Sequence, residues 1–414
     1  MSASNGYGSV VMSGSVFMFD TGDTVNSYKG EPTTNSMNFT DNVTGSNYGF
    51  NIEYSACQLS KAWYPNIQTP VGTGATLLTQ QNSGSSPWYG LNWYDSEEDG
   101  KRCLSAYIYP VTPITQLRFG MAGDANNSVY FNIATREITY GAYITNTNAF
   151  IQDVPGYPGW LRVGANIEGR AGGWVLFLGT GFEVDYTPTE PYESFYICGI
   201  QYERTIATHC TQFTPAGTTR SATQGLIPLV GSQVLDLTNI SYNSNAQITF
   251  DGTNDRISTG LGNIGNNVSF TAVINSSGNA TTYNMYMGQL LPYMGAVNGN
   301  AIIFSDYINS TQQTITTIGG SITTGQNHYV VCTREYDGTN TTNKIYIDGQ
   351  LKASGTFSGA PTYYGDTIYI GDGQTSVWYP FYGYVKTAQI YNRTLTVSEI
   401  TQNYQKYKTR FNLS

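Results

Sequence analysis

Side chains able to do acid–base or nucleophilic chemistry are scarce in this chain. Two histidines, His209 and His328, stand among 414 residues, and five cysteines (57, 103, 198, 210 and 332) fall at wide spacings with no C-x-x-C pair. That leaves little for a catalytic triad or a zinc centre, and the odd count argues against a disulfide framework. Cys198 and Cys332 lie in apolar runs and read as small buried hydrophobes. Both histidines read as structural. One pair of carboxylates has strand spacing, Glu183-Val184-Asp185. Alternate strand residues share a face, and retaining glycoside hydrolysis needs two carboxyl groups about 5–5.5 Å apart. However, Thr187 and Pro188 follow, no third acid appears, and proline breaks a strand. A solvated turn is the better reading. Glu97-Glu98-Asp99-Gly100, the densest acidic cluster, reads as a solvated loop rather than a calcium loop.

Binding is better provided for than catalysis. Trp88-Tyr89, Trp93-Tyr94 and Trp378-Tyr379 lie in turn-rich contexts. A pyranose face stacks on such rings while Asn and Asp supply hydrogen bonds. The same residues are enriched at subunit interfaces, so sugar platform and interface or core stand as alternatives for all six.

The elements that must position these residues are strands. Charged residues make up 11% of the chain, against about 25% in an ordinary soluble protein. Aromatics reach 14%, with 34 Tyr to 17 Phe, and there are 46 Gly. Long amphipathic helices need more Glu, Lys, Arg, Ala and Leu than this; short strands joined by Gly/Asn/Ser/Thr turns suit the mixture. The net charge is −9, with cations scattered singly, so a nucleic-acid backbone is excluded as partner. No stretch nears the ~20 apolar residues of a membrane span, and the opening MSASNGYGSV has no secretory pattern.

Three parts follow. Residues 1–35 hold an apolar run, Val16 to Phe19, and a polar leader. Residues 36–215 carry repeated alternations such as Leu104–Tyr109, Val129–Ile133, Trp174–Leu178 and Phe195–Cys198, the grammar of a jelly-roll sandwich. Residues 216–225 read as an interdomain linker, and 226–414 as a second sandwich. There, Asp251-Gly252 and Asp348-Gly349 end alternating runs, a hairpin signal. One short helix is expected near the C-terminus, from a Thr396/Glu399 capping box with Val397, Ile400 and Tyr404 as its apolar face.

The second part resembles the laminin-G-like, concanavalin A-like domains common in bacteriophage virion proteins. The resemblance is carried, in order, by Phe250-Asp251-Gly252-Thr253-Asn254-Asp255, Lys344-Ile-Tyr-Ile-Asp348-Gly349, Phe381-Tyr-Gly383, and Ala388-Gln-Ile-Tyr391-Asn-Arg393. The first part is similar to jelly-roll modules of phage tail and fibre proteins. Gly159-Trp160-Leu161-Arg162-Val163 matches one of their strands. Gly199-Ile200-Gln201-Tyr202-Glu203 with Thr208 and Thr219-Arg220 matches their closing segment, although Cys198 replaces the usual Trp and His209-Cys210 interrupts it. The leader through Ser27-Tyr28-Lys29-Gly30-Glu31-Pro32-Thr33-Thr34-Asn35 likewise resembles leaders of marine phage structural proteins.

These resemblances imply an all-β chain, jelly roll then concanavalin A-like sandwich, acting without catalysis as a structural component of a virion: capsid decoration, collar, tail or fibre. Such a protein is made in the host cytoplasm. Its expected partners are other virion proteins, copies of itself (a trimer first) and host-surface polysaccharide, with no nucleic acid and no membrane insertion. A glycan-binding receptor or adhesin module is the alternative. A polysaccharide hydrolase is disfavoured, since laminarinase-type enzymes on this fold carry an E-x-D-x-E strand and only Glu183-Val184-Asp185 approaches it. No cofactor is required. Calcium is the one candidate, because laminin-G-like relatives commonly bind it at a rim and hard oxygen ligands suit such loops. Asp251, Asn254 and Asp255 would hold it, with Asp372 a weaker fourth; a plain tight turn competes. The apolar leader strand, which neither sandwich obviously needs, is expected to pair across a subunit boundary.

Overall fold

Because tyrosine, threonine and branched aliphatics alternate along so much of the chain, strands take 53% of it. The computed structural model describes residues 10–24, 26–35, 59–80, 90–95, 101–121, 124–145, 148–168, 174–180, 193–204, 210–215, 217–243, 247–278, 283–363, 367–372 and 379–413, with the backbone alone for some, including 90–95 and 174–180. These residues form two sandwiches.

In the first, a six-stranded sheet runs Phe150–Asp153, Leu161–Glu168, Lys101–Pro110, Ser194–Arg204, Gly72–Gln80, Leu59–Thr69 in spatial order. A five-stranded sheet, Gly90–Asp95, Trp174–Thr180, Leu117–Met121, Asp124–Asn132, Glu137–Tyr140, faces it. Alternate residues of the two sheets, among them Leu104, Ala106, Ile108, Phe119, Phe131, Val163 and Ile197, fill the space between them. Neighbouring strands are antiparallel, as in the pairing of Tyr107 with Arg162 and with Cys198.

The second sandwich is larger. The strands Ser241–Tyr242, Ile248–Asp251, Tyr382–Tyr391, Val268–Ser276, Asn327–Tyr336, Asn340–Ile347 and Gln350–Ser358 make one sheet. Ile257–Ser258, Tyr369–Ile370, Tyr283–Gly288, Tyr293–Val297, Ala301–Ile308 and Thr311–Thr316 make the other. Among the described residues an ion pair crosses between the sheets: Arg334 meets Asp306 at 2.9 Å with both side chains wholly buried. Asn343 also donates to Asp306, and carbonyls of Gly265 and Asn266 accept from Arg334, so the charges are satisfied rather than stranded.

The leader strand is not spare. Ser15–Asp20 pairs antiparallel with Tyr382–Tyr391 of the same chain, Phe17 opposite Ile390 and Phe19 opposite Ala388. Ile248–Asp251 covers the start of that edge, at Tyr382 and Gly383, and the leader covers the rest. Phe17 and Phe19 are 0% exposed within the second core. This corrects the expectation of pairing across a subunit boundary: the edge that attracts the strand lies in the same molecule.

The first sandwich is therefore inserted between the first strand and the remainder of the second. The chain crosses out along 27–35 and returns along 217–227, and the two crossings are hydrogen-bonded to each other. Ile227 N–H donates to Ser27 O, Lys29 N–H to Gly225 O, and Asn35 N–H to Thr218 O. Thr33–Thr34 and Thr219–Arg220 form a short ladder. Glycine is required at the crossing: Gly30 has φ 108°, and a Cβ there would sit 2.7 Å from Gln212. The stretch that reads as a loose linker is thus a structured joint.

Local signals fared unevenly. Asp348-Gly349, with φ 51° and 77°, makes the two-residue hairpin its sequence announces. Asp251-Gly252 does not; the chain there leaves one sheet and enters the other. The helix spans Val397–Phe411 with the expected capping box. It runs further than the sequence reading because Ile400, Asn403 and Tyr407 make its buried stripe, while Val397 is 59% exposed. Cys103, Cys198, Cys210 and Cys332 are buried free thiols. His328 accepts from Thr323 N–H through Nε2 and meets the Asp348 carboxylate through Nδ1 at 2.7 Å, which occupies both ring nitrogens. Cys57, His209, Glu97–Asp99, Glu183 and Asp185 lie outside the described residues.

The first and last described segments meet on the outer face of the larger sheet. Val11 N–H donates to Asn403, Val11 O accepts from Tyr391 Oη, and Arg410 pairs with the buried Asp20 at 2.5 Å. Two predictions follow from this clasp. Removing the Phe19 ring by Phe19→Ala should destabilise the protein by about 3–5 kcal/mol, measured by denaturant unfolding. Burial pushes the Asp20 carboxyl up to about 6 against the pull of Arg410. The folded state then holds that proton more tightly than the unfolded chain. The associated stability is fully present below about pH 4 and disappears as pH rises through about 6. Wild type and Asp20→Asn compared by thermal melts from pH 4 to 8 should diverge over that window, by at most ~3 kcal/mol.

Candidate functional site

On the outer face of the smaller sheet of the second sandwich, alternation turns every second residue away from the core. Register brings Tyr293 opposite Ser305, and Tyr307 opposite Gln312. Tyr283 lies at the start of the neighbouring strand, opposite Val297. Tyr379 comes alongside from the approach to Tyr382–Tyr391, its carbonyl accepting from Met285 N–H at 2.9 Å. These four tyrosines, with Met285, Leu290, Leu291 and Gln312, line a cleft of about 540 Å³, within the range of small-ligand sites.

The cleft has a built floor. Met285, Leu291, Tyr293, Val297, Ala301 and Ile303 form their own apolar cluster on this face, against which Tyr283, Tyr307 and Tyr379 pack. The Tyr283 and Tyr379 rings lie 4.7 Å apart at 49°. Burial raises the Tyr293 hydroxyl above its ordinary value, opposed by a hydrogen bond with Ser305. Ser305 in turn shares a hydrogen bond with Thr314 at 2.6 Å and accepts weakly from Gln312 at 3.4 Å. Phenol rings, an amide and hydroxyls thus surround the cleft, and none of its eight lining residues carries a carboxylate. Such a surface can stack and hydrogen-bond a polyol; it supplies no acid–base pair.

Of the residues singled out from sequence, Tyr379 is in this wall. Asp372, buried, accepts from Tyr379 N–H at 3.4 Å; its carboxylate bears on the tyrosine's placement. Trp378, Trp88 and Tyr89 lie outside the described residues, and Trp93 and Tyr94 sit on the strand Gly90–Asp95, whose side chains are not described. Tyr283, Tyr293 and Tyr307 went unread in the sequence because they occupy ordinary strand positions. Each strand contributes a single tyrosine to this face, and the nearby Tyr286 is in the core, so no periodic tyrosine pattern marks the cleft.

Asp251, Asn254 and Asp255 lie in one loop beside Gly371-Asp372; a Cβ on Gly371 would approach Asp255 O to 3.0 Å. The two aspartate carboxylates serve the backbone. Asp255 Oδ2 accepts from Asp251 N–H (2.8 Å) and Ser241 N–H (3.3 Å), and Asp251 Oδ1 accepts from Thr253 N–H (2.7 Å). Burial is the main influence holding the Asp255 carboxyl above its ordinary value. Among the described residues no three His, Cys, Asp or Glu side chains are grouped to hold a metal. With N–H donors already on these oxygens, added calcium or its chelation is expected to move the melting temperature by no more than ~2 °C, read by differential scanning calorimetry.

No curated protein matches the chain. Among solved structures it is similar to the receptor-binding domain of botulinum neurotoxin type G (16% identity, TM-score 0.34, 45% of this chain and 49% of that one). It is also similar to that of botulinum neurotoxin D (15% identity, TM-score 0.34, 45% and 51%). The chain thus spans about half the length of the structures it matches. Residues 250–401 match the model of the concanavalin A-like lectin/glucanases superfamily. They constitute a concanavalin A-like domain.

Proposed function

We propose that this chain is a non-enzymatic, glycan-contacting structural protein of a bacteriophage virion, and that the tyrosine cleft of its second sandwich is the sugar contact. The cleft carries the reading: four phenol rings and an amide around about 540 Å³, with no carboxylate in the lining. Aromatic faces and neutral hydrogen-bonding groups recognise pyranoses, and hydrolysis of a glycosidic bond needs two carboxyl groups that this lining lacks. The superfamily matched by residues 250–401 includes lectins and glucanases alike; the lining chemistry favours the lectin side. Support for a virion role comes from the sequence resemblance of both sandwiches and the leader to phage structural proteins. The doubled joint adds mechanical support, since a load-carrying component gains from an inserted domain that cannot swing freely. A receptor-recognition module would use the same cleft.

A glycan array tests the sugar contact. Binding to surface polysaccharide fragments is expected, and Tyr379→Ala should weaken it about tenfold, the loss of ~1.4 kcal/mol of stacking. Absence of any bound glycan, or affinity untouched by Tyr379→Ala and Tyr283→Ala together, would refute the cleft. Detection of the protein at a fixed copy number in purified particles checks the virion assignment.

A further inference from the structure

Two of the buried thiols meet. On the six-stranded sheet of the first sandwich, Leu104, Ala165 and Tyr202 point into the core, so their neighbours Cys103, Asn166 and Glu203 project from the outer face. Register places Cys103 opposite both Asn166 and Glu203. Residues 210–214 lie across this face and are pinned to it. Thr211 N–H donates to Glu203 at 3.0 Å, and Thr211 O accepts from Arg162. Cys210 is thereby set down on the sheet, its sulfur 3.4 Å from Leu104 O and 3.5 Å from Ala165 O. Leu104 and Ala165 form the ladder pair next to Cys103 and Asn166. Asn166 Nδ2 donates to the Cys103 sulfur at 3.4 Å, and the Cys103 thiol is hydrogen-bonded to that of Cys210.

Both thiols are shielded, Cys103 being 0% and Cys210 6% exposed. A lone buried cysteine serves as a small hydrophobe; two whose sulfurs touch can also be joined. The hydrogen bond to Cys210, and then burial, hold the Cys103 thiol well above its ordinary value, so in the reduced protein it is a poor nucleophile. Cys210, the more exposed of the two, is where a small oxidant arrives first.

We propose that Cys103 and Cys210 are the site of a conditional disulfide, formed by a peroxide, that fastens residues 210–214 to the jelly-roll sheet. The Cys210 sulfur attacks one peroxide oxygen and the O–O bond breaks. The departing hydroxide takes the thiol proton as water, leaving a sulfenic acid. The Cys103 sulfur then attacks Cys210 Sγ, the S–O bond breaks, and the second hydroxide leaves with the Cys103 proton as water. In sum, two thiols lose two electrons and two protons, and hydrogen peroxide becomes two waters. Disulfides persist in oxidising surroundings and are rare in a reducing cytoplasm, so a chain made under reducing conditions would acquire the link only on leaving them.

The consequence falls on the joint. Thr211 holds Glu203, which also accepts from Thr33 of the leader, and Gln212 O accepts from Arg220. A covalent tie at Cys210 fixes one wall of that polar network. It also closes a loop of roughly 100 residues, long enough to constrain the unfolded chain strongly. The tyrosine cleft lies on the other sandwich, so either proposal can fail without the other.

The test incubates the full chain with hydrogen peroxide or with dithiothreitol, then denatures, alkylates and maps it by mass spectrometry without further reduction. A linked peptide pair containing Cys103 and Cys210 is expected as the main oxidised product, and dithiothreitol should release it. The oxidised protein should melt at least ~5 °C above the reduced form. Cys210→Ser should abolish both the linked pair and the rise on oxidation, whereas Cys332→Ala, in the other sandwich, should keep both. Should either variant fail to fold, the wild-type peptide map and melts decide alone. Thiols that stay free or end as separate sulfinic acids, links that use Cys57 or Cys198 instead, or a linked protein that melts no higher would overturn the inference.

Discussion

Arg220 is the residue on which the arrangement of the two sandwiches depends. It stands where the chain re-enters the second domain, and its guanidinium gathers carbonyls from the outgoing crossing (Lys29, Glu31) and from the end of the jelly roll (Gln212). A buried cation is costly unless its donors are filled, and here the groups that fill them come from the outgoing crossing and from the end of the jelly roll at once. Around it the same logic repeats. Glu203 accepts from Thr33 on one side and Thr211 on the other, and Gln201 bonds Thr211 and Thr214. Asn35 bonds Ile200, Thr214 and Tyr202. Satisfying this network requires the leader, the closing strand of the jelly roll and the return segment together. A partly assembled joint would leave several polar groups buried without partners.

The leader strand gives that joint something firm to pull against. Its pairing with Tyr382–Tyr391 completes an edge that would otherwise stand open from Thr387 to Tyr391, and an open edge invites unwanted pairing with other chains. Two phenylalanines inside the second core anchor it, while Asp20 and the helix residue Arg410 clasp its end. The outgoing crossing is therefore fixed at one end by core burial and at the other by the polar network. Insertion of a domain between paired strands, rather than at a single flexible linker, restrains swinging as well as separation.

How much of this the sequence disclosed depended on range. Elements fixed by neighbours were legible: the Thr396/Glu399 cap, the Asp348-Gly349 hairpin and the alternating strands all rest on contacts a few residues apart. The leader's partner, some 370 positions away, was not, since an apolar strand shows that it needs an edge but not whose. Asp251-Gly252 looked like Asp348-Gly349, yet a dipeptide specifies a turn without saying whether the next strand stays in the sheet. The motif residues Arg162, Gln201, Glu203 and Arg220 were visible as a pattern; that Glu203 meets Thr33 of the leader, and Arg220 its Lys29 and Glu31 carbonyls, was not. The tyrosines of the cleft were hidden for a related reason. Alternation marks two faces, and only the folded sheet reveals that Tyr283, Tyr293 and Tyr307 look outward beside Tyr379.

Rigidity at the joint would change what surfaces on the two sandwiches can do together. On a flexible linker, surfaces on separate domains would act on a shared polymer through an effective concentration set by linker length, with an entropic cost at each engagement. Here the polar joint orders the orientation during folding, so no such cost remains when a ligand arrives. The gain has a counterpart: a rigid pair can be bridged only by a polymer whose path matches the fixed spacing, and a mismatched one gains nothing from the second contact. Low surface charge acts in the same direction. With 11% charged residues, long-range steering is weak, and a ligand would be held mainly by short-range stacking and hydrogen bonding, interactions that reward fixed geometry. A ligand held on both sandwiches would be selected by shape, and the joint would set the spacing it must match.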